Sequence, residues 1–203
     1  GYNYNGQLGD GSQTERSEPG AFVPVENVTA LALGYQHSCA LADGGVYCWG
    51  YNAHGQLGDG STTSRHSPVL VNGSSAFVSV TSSPEADFNC SVDESGGAFC
   101  WGYNYYGQLG DNSNASAKEP VAVTALDPVA EVAAGKFHAC ARSEDGLVWC
   151  WGHGANGQLG NATSSGSWTP VAVPGISGIV QIAAGNTFSC ALTGGGAVYC
   201  WGS

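Results

Sequence analysis

One feature constrains this chain more than any other: it repeats. Trp49-Gly50, Trp101-Gly102, Trp151-Gly152 and Trp201-Gly202 stand 52, 50 and 50 residues apart. A Gly-Gln-Leu-Gly run keeps step with them, at Gly6 to Gly9, Gly55 to Gly58, Gly107 to Gly110 and Gly157 to Gly160. A period of this length marks an architecture in which each unit is one small sheet or hairpin set that cannot bury its apolar face alone, so that neighbours must stack. The units run 1–49, 50–101, 102–151 and 152–201.

Within each unit the strands can be placed. A Ser/Thr/Asn-rich stretch leads to Pro68-Val69-Leu70-Val71, Pro120-Val121-Ala122-Val123 or Pro170-Val171-Ala172-Val173. Proline at the first residue of a strand removes no ladder bond, so a strand is expected to begin there. A second apolar run follows, as in Val129 to Gly135 and Ile179 to Gly185, closed by its glycine.

The last two runs form a hairpin. Asp43-Gly44 between Ala42 and Gly45 predicts a two-residue type I′ turn. Counting outward pairs Leu41 with Val46, Ala40 with Tyr47 and Cys39 with Cys48. The other units carry one more turn residue, Glu94-Ser95-Gly96, Glu144-Asp145-Gly146 and Gly194-Gly195-Gly196, with glycine where the left-handed conformation is needed. Cys90 then opposes Cys100, Cys140 opposes Cys150, and Cys190 opposes Cys200. Opposed residues on antiparallel strands lie ~4.5–5.5 Å apart, within disulfide reach. Four disulfides are expected, one per unit, each closing a loop worth roughly 2–3 kcal/mol through the unfolded state.

Thirty-two glycines, eight prolines, 42% apolar and 10% charged residues describe a turn-rich sheet protein. Four short antiparallel strands per unit, with aromatic markers once per unit, predict an all-β fold: a β-propeller of four-stranded blades, spanning 1–203 as a single propeller or propeller segment.

The combined pattern Cys-Ala-Leu, hairpin, Tyr-Cys-Trp-Gly, Asn and Gly-Gln-Leu-Gly-Asp-Gly resembles the regulator-of-chromosome-condensation repeat across the whole chain. The flanking cysteine pairs make it look like the bacterial, exported branch. The resemblance implies rings that usually carry seven blades, where this chain has four. The segment fits an excerpt of a longer ring, a small closed ring, or a subunit whose end strands are completed by the next copy. Function varies across the family, which includes a nucleotide exchange factor that binds chromatin, an ultraviolet photoreceptor, ubiquitin ligase modules and a secreted β-lactamase inhibitor. The photoreceptor reading calls for tryptophans paired with arginines, and arginine is nearly absent here.

Five basic residues against sixteen acids give a formal charge of −11, which repels phosphate backbones and anionic lipid heads. Nucleic acid is therefore not an expected partner, and membrane insertion is not expected because no apolar run approaches the ~20 residues of a membrane helix. Evenly paired cysteines suit an oxidising compartment, extracellular or at the cell surface. The absence of methionine and the start in mid-motif suggest a processed or excised piece.

No catalytic constellation or cofactor motif emerges. The cysteine spacing is wrong for zinc and the pairs fall in separate units. His37 and His138 share a column with Phe88 and Phe188, which reads as packing. Asp10, Asp59 and Asp111, with Asn161 in the fourth copy, lack the alternating acids of a calcium loop and read as turn residues. Tyr2, Tyr4, Tyr51, Tyr103, Tyr105 and Tyr106 place aromatics, with neighbouring asparagines, on one rim suited to a sugar or a protein. Asn27, Asn72, Asn114 and Asn161 begin Asn-x-Ser/Thr triplets and are candidate glycosylation sites; Asn89 begins a fifth but sits beside Cys90 in a strand.

The expected function is an extracellular, non-enzymatic structural scaffold, in the form of a self-assembling subunit of a surface fibre or sheath. The alternative is a protein- or glycan-recognition module of a larger secreted protein. The partner is accordingly the chain itself, or another extracellular protein or a glycan.

Overall fold

The computed structural model describes residues 1–20, 25–74, 76–126 and 128–203. Among the described residues fourteen strands build four antiparallel sheets. The first sheet holds β1 (Val28–Leu33), β2 (His37–Ala42), β3 (Gly45–Gly50) and β4 (Arg65–Leu70) in that order. The second holds β5 (Phe88–Val92), β6 (Ala98–Gly102) and β7 (Ala117–Ala122). The place beside β5 that β1 holds beside β2 in the first sheet is taken by the isolated bridges Phe77 to Asp93 and Thr81 to Cys90. The third comprises β8 (Val129–Ala134), β9 (His138–Ser143), β10 (Val148–Gly152) and β11 (Ser167–Ala172), and the fourth β12 (Ile179–Ala184), β13 (Phe188–Thr193) and β14 (Val198–Gly202).

The hairpin register follows from turn chemistry. Asp43 and Gly44 both have positive φ, 50° and 73°, as a type I′ turn requires, and Cys39 pairs with Cys48. Gly96, Gly146 and Gly196, at φ 82°, 78° and 86°, close the longer turns, and the remaining cysteines oppose one another as expected. All four disulfides form, with Cα atoms 4.0–4.1 Å apart, closer than the expected range.

Sheet and repeat are out of phase by one strand. The proline-bearing strand opens each sequence unit, yet it pairs with the preceding hairpin: Tyr47 faces Leu70 and Cys48 faces Val69. Prolines 68, 120 and 170 also sit at the fourth residue of β4, β7 and β11, not at the first. The position is tolerated because these are outermost strands, where a missing N–H can point away from the sheet.

Three of the disulfides are buried, whereas Cys190 is half-buried and Cys200 exposed. Exposed disulfides exchange first. Under mild reductant the Cys190–Cys200 pair should therefore open ahead of the other three. Alkylation followed by peptide mass mapping reads this directly, and simultaneous opening of all four would contradict it.

Candidate functional site: the blade seams and the aromatic rim

Each seam between sheets is held by the Gly-Gln-Leu-Gly loop of one sheet and the tryptophan of the next. Across the three seams Trp101 Nε1 donates to Gln56 O at 3.1 Å, Trp151 to Gln108 O at 2.9 Å and Trp201 to Gln158 O at 2.9 Å, and Trp49 of the first sheet donates in the same way to Gln7 O of the loop that precedes it, at 2.9 Å. The second glycine of the loop must be glycine for two reasons. Gly110 has φ 70°, and a Cβ there would lie 2.8 Å from Trp151 Nε1.

The loop is folded by its asparagine. Asn52 Oδ1 accepts from Leu57 N at 2.9 Å while Nδ2 donates to Thr63 O at 3.0 Å, and Asn3 and Asn104 repeat the arrangement. All three are fully buried, so the amides expected on the rim are inside the loops instead. The aspartates close the same loops. Asp59 accepts from Ser61 and Arg65, and Asp10 from Ser12 and Arg16. The Ser12 hydroxyl and the Arg16 guanidinium hold the Asp10 carboxyl down to about 2. In the fourth copy Gly154 replaces the asparagine and packs directly on the Ser165 backbone.

The His/Phe column crosses the seams. His37 Nε2 lies 2.9 Å from Asn89 Oδ1, whose amide nitrogen is already committed to Gln56 O at 2.7 Å. His37 therefore donates from Nε2. His138 Nε2 lies 2.9 Å from Ser189 Oγ, which donates to Gln158 O at 3.0 Å, so the same tautomer is fixed there. Phe88, by contrast, shares its core cluster with Ala139. The column is packing, as its sequence suggests, but each histidine also needs a polar partner one sheet further on. Both Nδ1 atoms lack a partner among the described residues. Burial pushes both histidines below their usual range, His138 to about 4.

On one face of the molecule the loops that follow each Trp-Gly form a chain of rings. Tyr51 meets His54 edge-on at 6.3 Å, and His54 lies 4.8 Å from Tyr103. Tyr103 stacks with Tyr105 at 6.5 Å, and Tyr105 meets Tyr106 at 5.0 Å. Tyr106 then contacts Phe137 at 4.9 Å and His153 at 4.8 Å. Tyr105 is exposed; Tyr51, Tyr103 and Tyr106 are partly buried. Burial, together with the neighbouring Tyr106, Tyr105 and Asp87, raises the Tyr103 hydroxyl. Tyr2 and Tyr4, both exposed, stack on each other at 6.4 Å.

His54, Phe137 and His153 belong to this rim although the sequence did not single them out for it. Phe137 comes from the turn before β9, a different loop of the repeat, with Lys136 Nζ 5.3 Å from its ring centroid. Among the described residues no three His, Cys, Asp or Glu side chains converge to hold a metal. Asn27, Asn72 and Asn114 are exposed, Asn161 half-buried and Asn89 fully buried.

The chain is similar to human WBSCR16, with 26% identity and a TM-score of 0.84 over 98% of this chain and 55% of that one. It is also similar to Prp20p of Saccharomyces cerevisiae, described for its binding to Gsp1p and histones, with 25% identity and a TM-score of 0.74 over 87% of this chain and 44% of that one. A structure of Kap60 bound to yeast RCC1 (Prp20) shares the fold, at 24% identity and TM-score 0.74 over 86% of this chain and 43% of that one. The chain thus spans about half the length of the solved relatives it matches. Residues 1–41, 43–84, 95–142 and 145–192 each match one family repeat, in tandem and with a shared tryptophan–loop seam. The chain belongs to the regulator of chromosome condensation (RCC1) repeat family.

Proposed function

We propose that this chain is a non-enzymatic, extracellular interaction module that binds a protein or glycan through its aromatic rim. The observation that carries the reading is the continuous run of rings from Tyr51 to His153, which crosses three sheets and exposes Tyr105 at its centre. Tyrosine combines apolar area with a polar tip at low entropy cost, and such residues dominate binding hot spots. Prp20p, described for its binding properties to Gsp1p and histones, lends support to a protein partner. Four disulfides favour an oxidising compartment.

The test is binding of the purified chain to a glycan array and to candidate extracellular proteins. Tyr105→Ala and Tyr106→Ala should each weaken the interaction by about tenfold or more, the loss expected of a hot-spot residue. Binding that survives both substitutions would place the partner elsewhere.

A second reading, the self-assembling scaffold of a surface fibre or sheath, is supported by a separate observation. The sheets repeat one tryptophan–loop contact at successive seams, and units that stack on like units within a chain can stack on them between chains as well.

A further inference from the structure

Three Asn-Gly pairs occur in the chain: Asn5-Gly6, Asn72-Gly73 and Asn156-Gly157. In such a pair the backbone nitrogen of the glycine can attack the amide carbon of the asparagine side chain, because no Cβ crowds its approach. The reaction needs a nitrogen free of hydrogen bonding and space in which a five-membered ring can close. The structure separates the three pairs on both counts.

Gly6 N donates to Asn3 O at 2.9 Å and Gly157 N to Gly154 O at 2.8 Å, so both nitrogens are held inside the turns that lead into the Gly-Gln-Leu-Gly loops. A Cβ on Gly6 would also lie 2.5 Å from the His66 ring. Asn72-Gly73 instead forms the tip of the turn that leaves β4, with both residues exposed. Among the described residues Gly73 N has no acceptor, and a Cβ on Gly73 would meet no atom within 4 Å beyond its chain neighbours. Gly73 has φ 69°, as the third position of a type II turn requires, and the nitrogen at that position takes no part in the bond that closes such a turn.

Asn72 is also a contact between sheets. Its Nδ2 donates to Glu119 Oε1 of β7 at 2.7 Å and its backbone N to Gly58 O at 2.9 Å, which ties the end of the first sheet to the seam loop and to the second sheet. Two residues on, the buried Ser74 Oγ donates to Val71 O and accepts from Val46 N.

We propose that Asn72 is a site of spontaneous deamidation that turns this clasp into a repulsion. Gly73 N bonds to Asn72 Cγ, and the proton it carried leaves with the side-chain nitrogen as ammonia. Water then opens the cyclic imide, adding hydroxide at one carbonyl carbon and returning a proton to the nitrogen, so that aspartate or isoaspartate remains. Either product sets a second carboxylate against Glu119, and like charges at such a distance disfavour each other. Isoaspartate also lengthens the backbone by one carbon just ahead of Ser74.

The 203-residue chain, produced without glycosylation, is incubated in mildly alkaline buffer and followed by peptide mass mapping. Asn72 should gain the mass of an amide-to-acid exchange about tenfold faster than Asn5 or Asn156, the factor that one ordinary hydrogen bond is worth. With the disulfides reduced and the chain unfolded, the three should convert at similar rates. A folded chain in which Asn5 or Asn156 keeps pace with Asn72, or a ranking that unfolding leaves unchanged, overturns the site. Asn72→Asp should lower the urea midpoint at unchanged slope, and Glu119→Gln in the same chain should recover most of the loss. A midpoint that does not move, or a loss that Glu119→Gln leaves in place, overturns the repulsion.

Discussion

Trp101→Ala is expected to destabilise the chain by about 3–5 kcal/mol, the range for truncating a large buried aromatic. Trp101 is fully buried at the first seam, stacks on Phe77 with ring centroids 6.0 Å apart and planes 8° apart, and donates to Gln56 O. Its removal opens a cavity shared by two sheets, so the loss falls on their association as well as on one hairpin. Trp101→Phe keeps most of the apolar contact and removes the hydrogen bond. Gln56 O still accepts from Asn89 Nδ2, so this variant should cost only about 1–2 kcal/mol. Trp201, partly exposed where Trp101 is fully buried, should cost less than Trp101 when truncated. Guanidinium unfolding midpoints at unchanged slope measure all three, and a Trp101→Ala shift below about 1 kcal/mol would remove the seam from the account of stability.

Acid should unfold this protein through its histidines before its carboxylates. His138 is fully buried, and burial lowers its folded value to about 4 from an ordinary 6.5. Above 6.5 the ring is neutral in both states and contributes no pH dependence. Between 6.5 and 4 the unfolded chain binds a proton that the folded chain does not, so stability falls as the pH falls. The window corresponds to roughly 3 kcal/mol for this one residue, at 1.36 kcal/mol per pKa unit. Burial lowers His37 as well, against the Asn89 hydrogen bond and the nearby Asp87 charge, which oppose the shift. The carboxylates act in the same direction but lower on the scale. Asp59 stays depressed because its Ser61 and Arg65 hydrogen bonds outweigh burial, and Asp93 is depressed by Ser95. Their contribution is present above the unfolded carboxylate range and lost as the pH drops through the folded values.

His138→Phe separates the two classes, since the same column holds phenylalanine at 88 and 188. The variant should match wild type near pH 7 and be the more stable of the two near pH 4, by about 3 kcal/mol. Equal acid sensitivity in the two proteins would show that the carboxylates alone carry the transition.

The parts of this fold that were legible in the sequence are the local ones. Two- and three-residue turns fix hairpin register, and register fixes the cysteine pairs, so the disulfides follow from a few adjacent residues. Ownership of the outer strand did not follow, because Arg65 returns to pair with Gly50 across a loop whose fold depends on the buried Asn52. A proline at mid-strand also looks like a beginning until the strand is known to be an edge. The rim was half legible. Its tyrosines repeat after Trp-Gly, but Phe137 arrives from another loop, and His54 and His153 look unrelated until the rings between them are in place. The histidine partners were hidden for a similar reason. His37 and Asn89 lie 52 residues apart, in different columns of different repeats, and a reading that aligns columns compares equivalent positions rather than positions that touch.

The alternation of His37, Phe88, His138 and Phe188 has a consequence for how a gene built of such repeats can grow or shrink. Excising the second sheet alone would bring His37 against Ala139 and leave its Nε2 proton buried without an acceptor, at a cost of about 1–3 kcal/mol. Excising the second and third sheets together would hand His37 to Ser189, the acceptor that already serves His138. Loss of the second and third sheets together therefore keeps an acceptor for His37, while loss of the second alone leaves a mismatched junction for selection to repair.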